Sequence, residues 1–388
     1  MRFAVIDSLS GIPAADWNRL QTGGNPFLRH EFLATLERTG CTSRETGWHP
    51  QHLAVYTDSG GKPRLIGAVP LYLKSHSYGE YVFDWAWADA YAQAGLNYYP
   101  KLVASVPFTP VTGARLLIAA DQDRASIARL LIDGALELAK QRGVSSLHWL
   151  FTPEEDAGLL ERQGHLRRVG YQFHWRNRGY ADFDDFLASL SSPKRKKIRR
   201  ERRYVHEAGI RMTVLTGDAL APAHWDRFYQ FYRSTILNHG AIPYLSREFF
   251  RTLGERMPES TVLIVAQAGK QIVAGALYLR GEDALYGRYW GSVDTYHSLH
   301  FETCYYQAIE YCIKSGLRRF EAGAQGEHKL SRGFLPTATF SAHWLSRPEF
   351  SHAVSQFLER ERNGVEFYLD ELHGHSPYRR GSNTGVST

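Results

Sequence analysis

The residues best equipped for chemistry crowd into one stretch of the chain, Arg288 to His343. It reads RYWGS, then SLHFETCYYQ, then FEAGAQGEHKLSRGFLP. Glu321, Gln325, Glu327, His328, Lys329 and Arg332 fall within twelve residues. Gly323 and Gly326 among them permit tight turns and close approach of a ligand to the backbone. A polar loop that leaves a strand is the natural rim of a cleft; a solvated loop with incidental charges is the plain alternative. The chemistry that fits is acyl transfer to an amine, in which a base takes a proton from nitrogen and donors stabilise an oxyanion. Glu302, Glu327, His328 and His300 are the candidate catalytic groups. Lys329 and Arg332 suit a donor phosphate or the oxyanion. Arg288, Trp290, Glu321 and Gln325 complete the candidate substrate-binding set on this side. His300 and Glu302 sit in the first turn of a helix, where free N–H groups favour an anion; for Glu302 that is also an ordinary stabilising place.

A second stretch of interest, GLNYYPKLVASVPFTPVTGARLL, starts at Gly95. It is stiffened by Pro100, Pro107 and Pro110. Tyr98, Tyr99 and Lys101 are candidates to line a pocket there, with ordinary loop packing as the other reading. Cys41, Cys304 and Cys312 are too few and too scattered for a zinc knuckle, a redox dithiol or a disulfide framework. No close His/Cys/Asp cluster has ligand spacing, so no metal is expected.

Residues 194–203 read KRKKIRRERR, eight of ten being Lys or Arg. Ser192 and Pro193 open a helix as cap and first residue, and Gly209 stops it. Ile198 and Val205, seven apart, give it a narrow apolar seam. Like charges at i,i+4 cost an isolated helix about 0.2–0.5 kcal/mol per pair. Lys194, Arg195, Lys196, Lys197, Arg199 and Arg200 are therefore candidates to bind a polyanion. A solvated face, an anionic substrate such as tRNA, and an anionic membrane surface all remain open.

The elements that must position these residues occur twice. Residues 52–73 read HLAVYTDSGGKPRLIGAVPLYL and residues 260–279 read STVLIVAQAGKQIVAGALYL. In each, an apolar run, a Gly-Lys tip and a run with Gly-Ala predict a β-hairpin. Lys62 precedes Gly67 by five positions, as Lys270 precedes Gly275. An aromatic strand follows in each copy, YVFDWAWAD from Tyr81 and ALYGRYWGS from Ala284. Next comes an amphipathic helix stopped by Gly143 or Gly316. A short strand and a last strand ending in His-Trp close each copy, at Trp175 and Trp344. The order predicts a mixed α/β sheet with packed helices, built twice. The boundaries expected are residues 1–180 for the first domain, 181–378 for the second with its basic helix, and 379–388 for a disordered tail.

The chain has 388 residues with 43% hydrophobic and 22% charged, the balance of a globular protein of about two domains. Its net charge of +6 favours anionic partners without choosing among them. The N-terminus has no signal-peptide pattern and no apolar window reaches about 18 residues, so a cytoplasmic location is expected.

Several motifs also resemble a known family. FDWAWADAY from Phe83, YYPKL from Tyr98, VPFTPVTG from Val106, SSPKRKKIRRERR from Ser191, LHFETCYYQ from Leu299 and AGAQGEHKLSRGFLP from Ala322 look like a bacterial family of N-acyltransferases labelled peptidoglycan biosynthesis or recognition proteins. More distantly, the chain is similar to the Fem-type aminoacyl transferases, which carry two GNAT-like domains. Lys329-Leu-Ser-Arg332-Gly-Phe334 resembles their late Lys-x-x-Arg/Phe-rich loop. Their long helical hairpin arm is not evident here. The resemblance implies two tandem GNAT-like folds. It also implies an amine-bearing small molecule or cell-wall precursor as acceptor. Neither copy carries the usual Arg/Gln-x-x-Gly-x-Gly/Ala pyrophosphate turn, so acyl-CoA and aminoacyl-tRNA both stand as the donor. A catalytically inactive pair that binds tRNA, nucleic acid or a precursor is the alternative.

Overall fold

The computed structural model describes residues 1–20, 23–59, 61–324 and 326–379. The tail residues 380–388 and the loop residue Gln325 lie outside the described residues. The chain divides into two compact units. One comprises Met1–Tyr171 with Ala338–Phe367; the other comprises Gln172–Thr337 with the chain from Tyr368 on.

Both repeated hairpins are present and share their register. His52–Ser59 pairs antiparallel with Lys62–Val69, placing Val55 opposite Gly67. Thr261–Ala268 pairs with Gln271–Arg280, placing Val265 opposite Gly275. A register shift follows toward the turn in both, directly after Val55 in the first and one residue later, after Ala266, in the second. The glycines have a packing reason: a Cβ on Gly67 would stand 2.9 Å from Ile127 Cγ2 of the overlying helix.

In the first unit, that hairpin lies between Arg2–Ile6 and Leu117–Ile118 in an antiparallel sheet. Trp48–Pro50, Leu71–Lys74, Lys101–Ala104 and Ser146–Thr152 form a second run of strands, joined by Phe340–Leu345. The helix Arg124–Gln141 buries Ile127, Leu131, Ala135 and Leu138, a stripe at three- and four-residue spacing, and ends before Gly143 at φ 61°.

In the second unit the spatial order is Ile210–Thr216, the hairpin, Ala284–Ser292, Arg319–Glu321 and finally His174–Arg176. Its core gathers Phe173, Trp175, Ile264, Tyr278, Ile309, Phe320 and Phe334. The last strand of each copy thus completes the other unit's sheet: residues 174–176 pair with Arg319–Glu321, and residues 340–345 with Ser146–Thr152.

Two expectations need correction. YVFDWAWAD is not a strand; Trp85–Gln93 is an α-helix, and Lys101–Ala104 is the strand that pairs with Leu71–Lys74. Alternating aromatics imitate a strand, but Ala86, Ala88 and Ala90 favour helix, and Trp87 and Tyr91, four apart, make its buried face. The basic helix is capped by Ser191 rather than Ser192, spans Ser192–Glu207, and makes no side-chain cap bond. Gly209 stops it at φ 70°. Among the described residues, no helix is long and apolar enough to cross a membrane, and no metal-binding group of His, Cys, Asp and Glu occurs.

Candidate active site at a strand junction

Ala284–Ser292 runs antiparallel to Gln271–Arg280 along its length, Gly291 opposing Gly275 near its end. On its other side it is parallel to Arg319–Glu321 over Ala284–Tyr286 only. Beyond Tyr286 the two parallel strands part. A cleft of about 150 Å³ opens at the fork, lined by Gly287, Arg288, Tyr289 and Trp290 on one side and Ala322 on the other. His300, Cys304 and Tyr305 close it from the helix that follows. That helix runs from Leu299 to Lys314 but takes a π turn over Glu302–Tyr306. Such a turn shifts the facing of side chains by one position and often marks functional sites. Here it aims His300, Cys304 and Tyr305 together at the fork.

The cleft is half sealed and sets the protonation of its walls. Burial holds the His300 imidazole at about 4, with His328, Arg332 and Lys329 adding to the effect. Its ring meets Trp290 at 5.3 Å and Tyr305 at 5.5 Å between centroids. His328 Nε2 and the Tyr305 hydroxyl are 2.8 Å apart, and burial also lowers His328. Lys329 is buried, donates to the Gly323 carbonyl at 2.8 Å, and is brought down by burial to about 8. Burial pushes the Cys304 thiol up, so it is not a ready thiolate. At the strand end, burial raises Glu321 to about 7 against the opposing Arg319 guanidinium at 3.0 Å.

Around the cleft a buried ion-pair frame joins the basic helix to the late loop. Arg332 donates from Nη2 to both Glu201 oxygens at 2.8 and 3.0 Å. Its Nε donates to the Tyr306 hydroxyl at 2.9 Å and its Nη1 to the His328 carbonyl at 2.7 Å. The guanidinium lies 3.5 Å from the Phe301 ring centroid. The Tyr306 hydroxyl in turn donates to Glu201. Next along the same helix, Arg202 donates to Glu302 at 3.2 Å and to Glu310 at 3.1 Å.

The profile of a FemAB-like family, described as peptidoglycan biosynthesis/recognition, matches residues 8–380 of this chain. The chain belongs to that peptidoglycan biosynthesis/recognition family. Its fold is also that of solved structures with little sequence in common. The crystal structure of FemX is 12% identical with a TM-score of 0.56, over 92% of this chain and 100% of that one. The C-terminal domain of a putative lysylphosphatidylglycerol synthetase from Agrobacterium fabrum is 12% identical with a TM-score of 0.52, over 88% and 95%. L-PGS from Bacillus licheniformis is 12% identical with a TM-score of 0.50, over 84% and 95%. A comparison with curated protein sequences finds no significant match. The chain thus shares the mixed α/β fold of these structures, with its hairpin unit present twice.

Within this family member the sequence-derived residues are distributed unevenly. His300, Arg288 and Trp290 line the cleft. His328 and Lys329 stand beside it, bonded to Tyr305 and Gly323. Glu302 is buried and held by Arg202 and Gln307, and Glu327 accepts from the Tyr368 hydroxyl; neither lines the cleft. Arg332 is only 1% exposed and its guanidinium is engaged on every side, which leaves it a frame-holding rather than a ligand-facing geometry. On the basic helix, Lys196, Arg199 and Arg200 are exposed, while Lys194, Arg195 and Lys197 are half-buried. Arg195 donates to the Leu190 carbonyl and Arg199 pairs with Asp184. Tyr305, Cys304 and Glu201 were missed. Helical spacing with Ala308, Ile309 and Cys312 marks the first two as core, and Glu201 is a lone acid among eight basic residues.

Tyr98, Tyr99 and Lys101 lie in the other unit, at its own parallel junction. Lys101–Ala104 is parallel to Ser146–Thr152 over Leu102–Ala104. There the strand breaks, residues 105–116 leave it, and Leu117–Ile118 resumes with Ile118 opposing Gly67, as Gly291 opposes Gly275. The departing segment fills its own fork. Arg115 is fully buried and donates to the carbonyls of Leu150 at 2.8 Å, Val111 at 2.9 Å and Gly113 at 3.0 Å. Burial draws its guanidinium down to about 9. Lys101, also fully buried, pairs with Glu80 at 2.8 Å and with Asp84. The Tyr98 hydroxyl donates to Asp84. His148 lies 2.7 Å from His343 and is held by burial at about 3. Tyr98 and Lys101 are thus closed into a buried polar network; Tyr99 is half-buried beside it, its hydroxyl 2.8 Å from Ser77.

Proposed function

We propose that the chain is an N-acyltransferase whose second copy moves an acyl or aminoacyl group to an amine, with a cell-wall precursor as acceptor. The donor is an acyl-CoA or an aminoacyl-tRNA. The observation that carries this reading is the open fork in the second copy, set against the filled fork in the first. Beyond Tyr286 the strand Ala284–Ser292 parts from Arg319–Glu321, so a carbonyl oxygen held in the cleft would lie along that strand's edge. Amide donors fixed in a water-poor cleft stabilise the developing oxyanion without reorganisation.

The acceptor nitrogen attacks the donor carbonyl carbon, the carbon–sulfur or carbon–oxygen bond breaks, and the amide forms. Once bonded to that carbon the nitrogen becomes strongly acidic. A neutral imidazole, even one as weakly basic as His300, then suffices to take the proton. Lys329, near 8, supplies a proton to the leaving group. The frame of Arg332, Glu201 and Tyr306 holds the loop bearing His328 and Lys329 against the π turn.

The direct test is a thermal-shift titration with CoA, acyl-CoAs and aminoacyl-tRNA, followed by amine transfer assays with the donor that binds. A ligand at about 100 times its dissociation constant adds about 2.7 kcal/mol of stability, enough to raise the midpoint by several degrees. A saturable shift that is lost in W290A supports the reading. No shift with any donor would sink it.

A further inference from the structure

The strand Ala284–Ser292 carries an irregularity at the fork itself. Tyr278 opposes Gly287 and Leu277 opposes Tyr289, so Arg288 is the extra residue of a bulge. A bulge bends its strand and re-aims a side chain. Arg288 stands here on the cleft wall, beside Tyr289 and Trp290. Its guanidinium lies 5.0 Å from the Tyr289 ring centroid, and its Nη2 donates to the Tyr289 hydroxyl at 3.3 Å. An arginine stacked on its neighbour's ring is a permanent positive charge with a held position.

The charges around that wall have one sign. Lys329 is 2% exposed and donates to the Gly323 carbonyl; among the described residues no carboxylate stands within ion-pair distance of it. Two groups on the wall sense this. Burial keeps His300 neutral, and His328, Arg332 and Lys329 act in the same direction. Burial raises the Cys304 thiol, and Lys329 draws it the other way, as a nearby cation must. The carboxylates of the neighbouring elements are turned to other partners: Glu201 to Arg332, Glu302 to Arg202, Glu321 to Arg319 and Glu327 to the Tyr368 hydroxyl. Among the described residues that line the cleft there is no carboxylate. An ammonium group entering here meets two cations and no counter-ion.

We propose that this pattern selects the transferred group by charge: the cleft takes an acyl thioester whose acyl chain is neutral or ends in a carboxylate, it rejects an acyl group bearing a free ammonium, and Arg288 is the selecting residue. The inference rests on the transferase reading and separates its two donors, because an aminoacyl ester carries an ammonium next to its carbonyl. A like charge placed beside a partly buried cation costs affinity that bulk water would screen away. The cleft volume of about 150 Å³ equals about five waters at roughly 30 Å³ each, room for a chain of a few carbons. The same positive surroundings favour the neutral form of the incoming amine, which is the form that attacks.

Three pantetheine thioesters test this: propionyl, succinyl and β-alanyl, which end in a methyl, a carboxylate and an ammonium on the same short chain. Isothermal titration of the full chain should show saturable binding of the propionyl and succinyl forms, with the β-alanyl form about tenfold or more weaker. R288Q should narrow that gap. R288E should reverse it, so that β-alanyl binds better than succinyl, while circular dichroism shows both variants folded. β-Alanyl binding as tight as succinyl in the wild-type chain overturns the proposal, and so does saturable binding of none of the three. A gap unchanged in R288E removes the assignment to Arg288. The transferase reading fails separately. Rapid transfer from an aminoacyl-tRNA, with poor binding of the succinyl form, keeps the transferase and removes the selection. The expected binding order without transfer to any amine keeps the selection and removes the transferase.

Discussion

The two parallel-strand junctions began as one design and ended as opposites. In the second copy the strand Ala284–Ser292 continues unbroken past its parallel partner, and the gap becomes a cleft walled by Trp290, His300 and Tyr305. In the first copy the strand stops at Ala104, and residues 105–116 turn into the gap with Arg115 as the plug. Both forks expose backbone groups that need partners. One copy meets its carbonyls with its own guanidinium; the other keeps a cleft at the same place. The difference teaches that a duplicated fold can divide its labour by where an insertion falls, with the hairpins on either side unchanged.

The largest expected contrast is catalytic. H300A should lower kcat/KM by about 10²–10⁴, the usual contribution of a proton-transfer group, without changing the far-ultraviolet spectrum. R115M should leave turnover per folded molecule unchanged, since its fork is closed. If R115M abolished turnover in folded protein while H300A did not, the assignment of the active copy would be reversed.

Second in size is the frame. E201A strands the fully buried Arg332, and breaking a buried pair costs about 3–5 kcal/mol, readable as a fall in the urea midpoint. R115M is expected to cost less in the same measurement, about 1–3 kcal/mol for carbonyls left without a donor. Equal losses would mean that the two arginines do the same structural work.

The third prediction concerns pH. His148, His174 and His300 are all held below their ordinary value by burial, to about 3, 3 and 4. Each is neutral in the fold and charges more readily when unfolded. The stability they contribute is present above about 6.5 and is lost as pH falls toward those values. Glu80 and Glu321, raised by burial to about 7, act in the opposite sense: their contribution is full below about 4.5 and lost as pH rises through 7. The unfolding midpoint should therefore fall on the acid side of pH 6, and H148N should flatten that limb without altering the pH dependence of transfer.

The smallest effect is expected at the surface. K196A, R199A and R200A should each move stability by no more than about 0.5 kcal/mol, because all three side chains are exposed. If they carry a polyanion, they should lower both its affinity and the salt slope of binding.

Much of the fold was legible beforehand because it is local. The Lys62/Gly67 and Lys270/Gly275 spacing fixed both hairpins, and the glycine stops fixed the ends of the helices at Gly143, Gly209 and Gly316. The site was legible in part: the richest stretch does hold His300, Trp290 and Arg288 at one cleft. Its ion pairs were not. Nothing near Glu201 in the chain announces that its partner is Arg332, 131 residues on. Likewise the alternation around Trp85 and Trp87 mimicked a strand, because periodicity cannot say which segment finds a pairing partner.

By itself the sequence determined that one αβ unit occurs twice, that a basic helix precedes the second, and which stretch is rich in acid–base groups. Those follow from spacing, turn chemistry and charge, which act over a few residues. Only the tertiary structure decided that one fork is plugged and the other open, that Arg332 is spent on Glu201, and that each copy's last strand joins the other unit. Those depend on which buried donors and acceptors meet across more than a hundred residues, and low-dielectric burial makes every such pairing nearly obligatory.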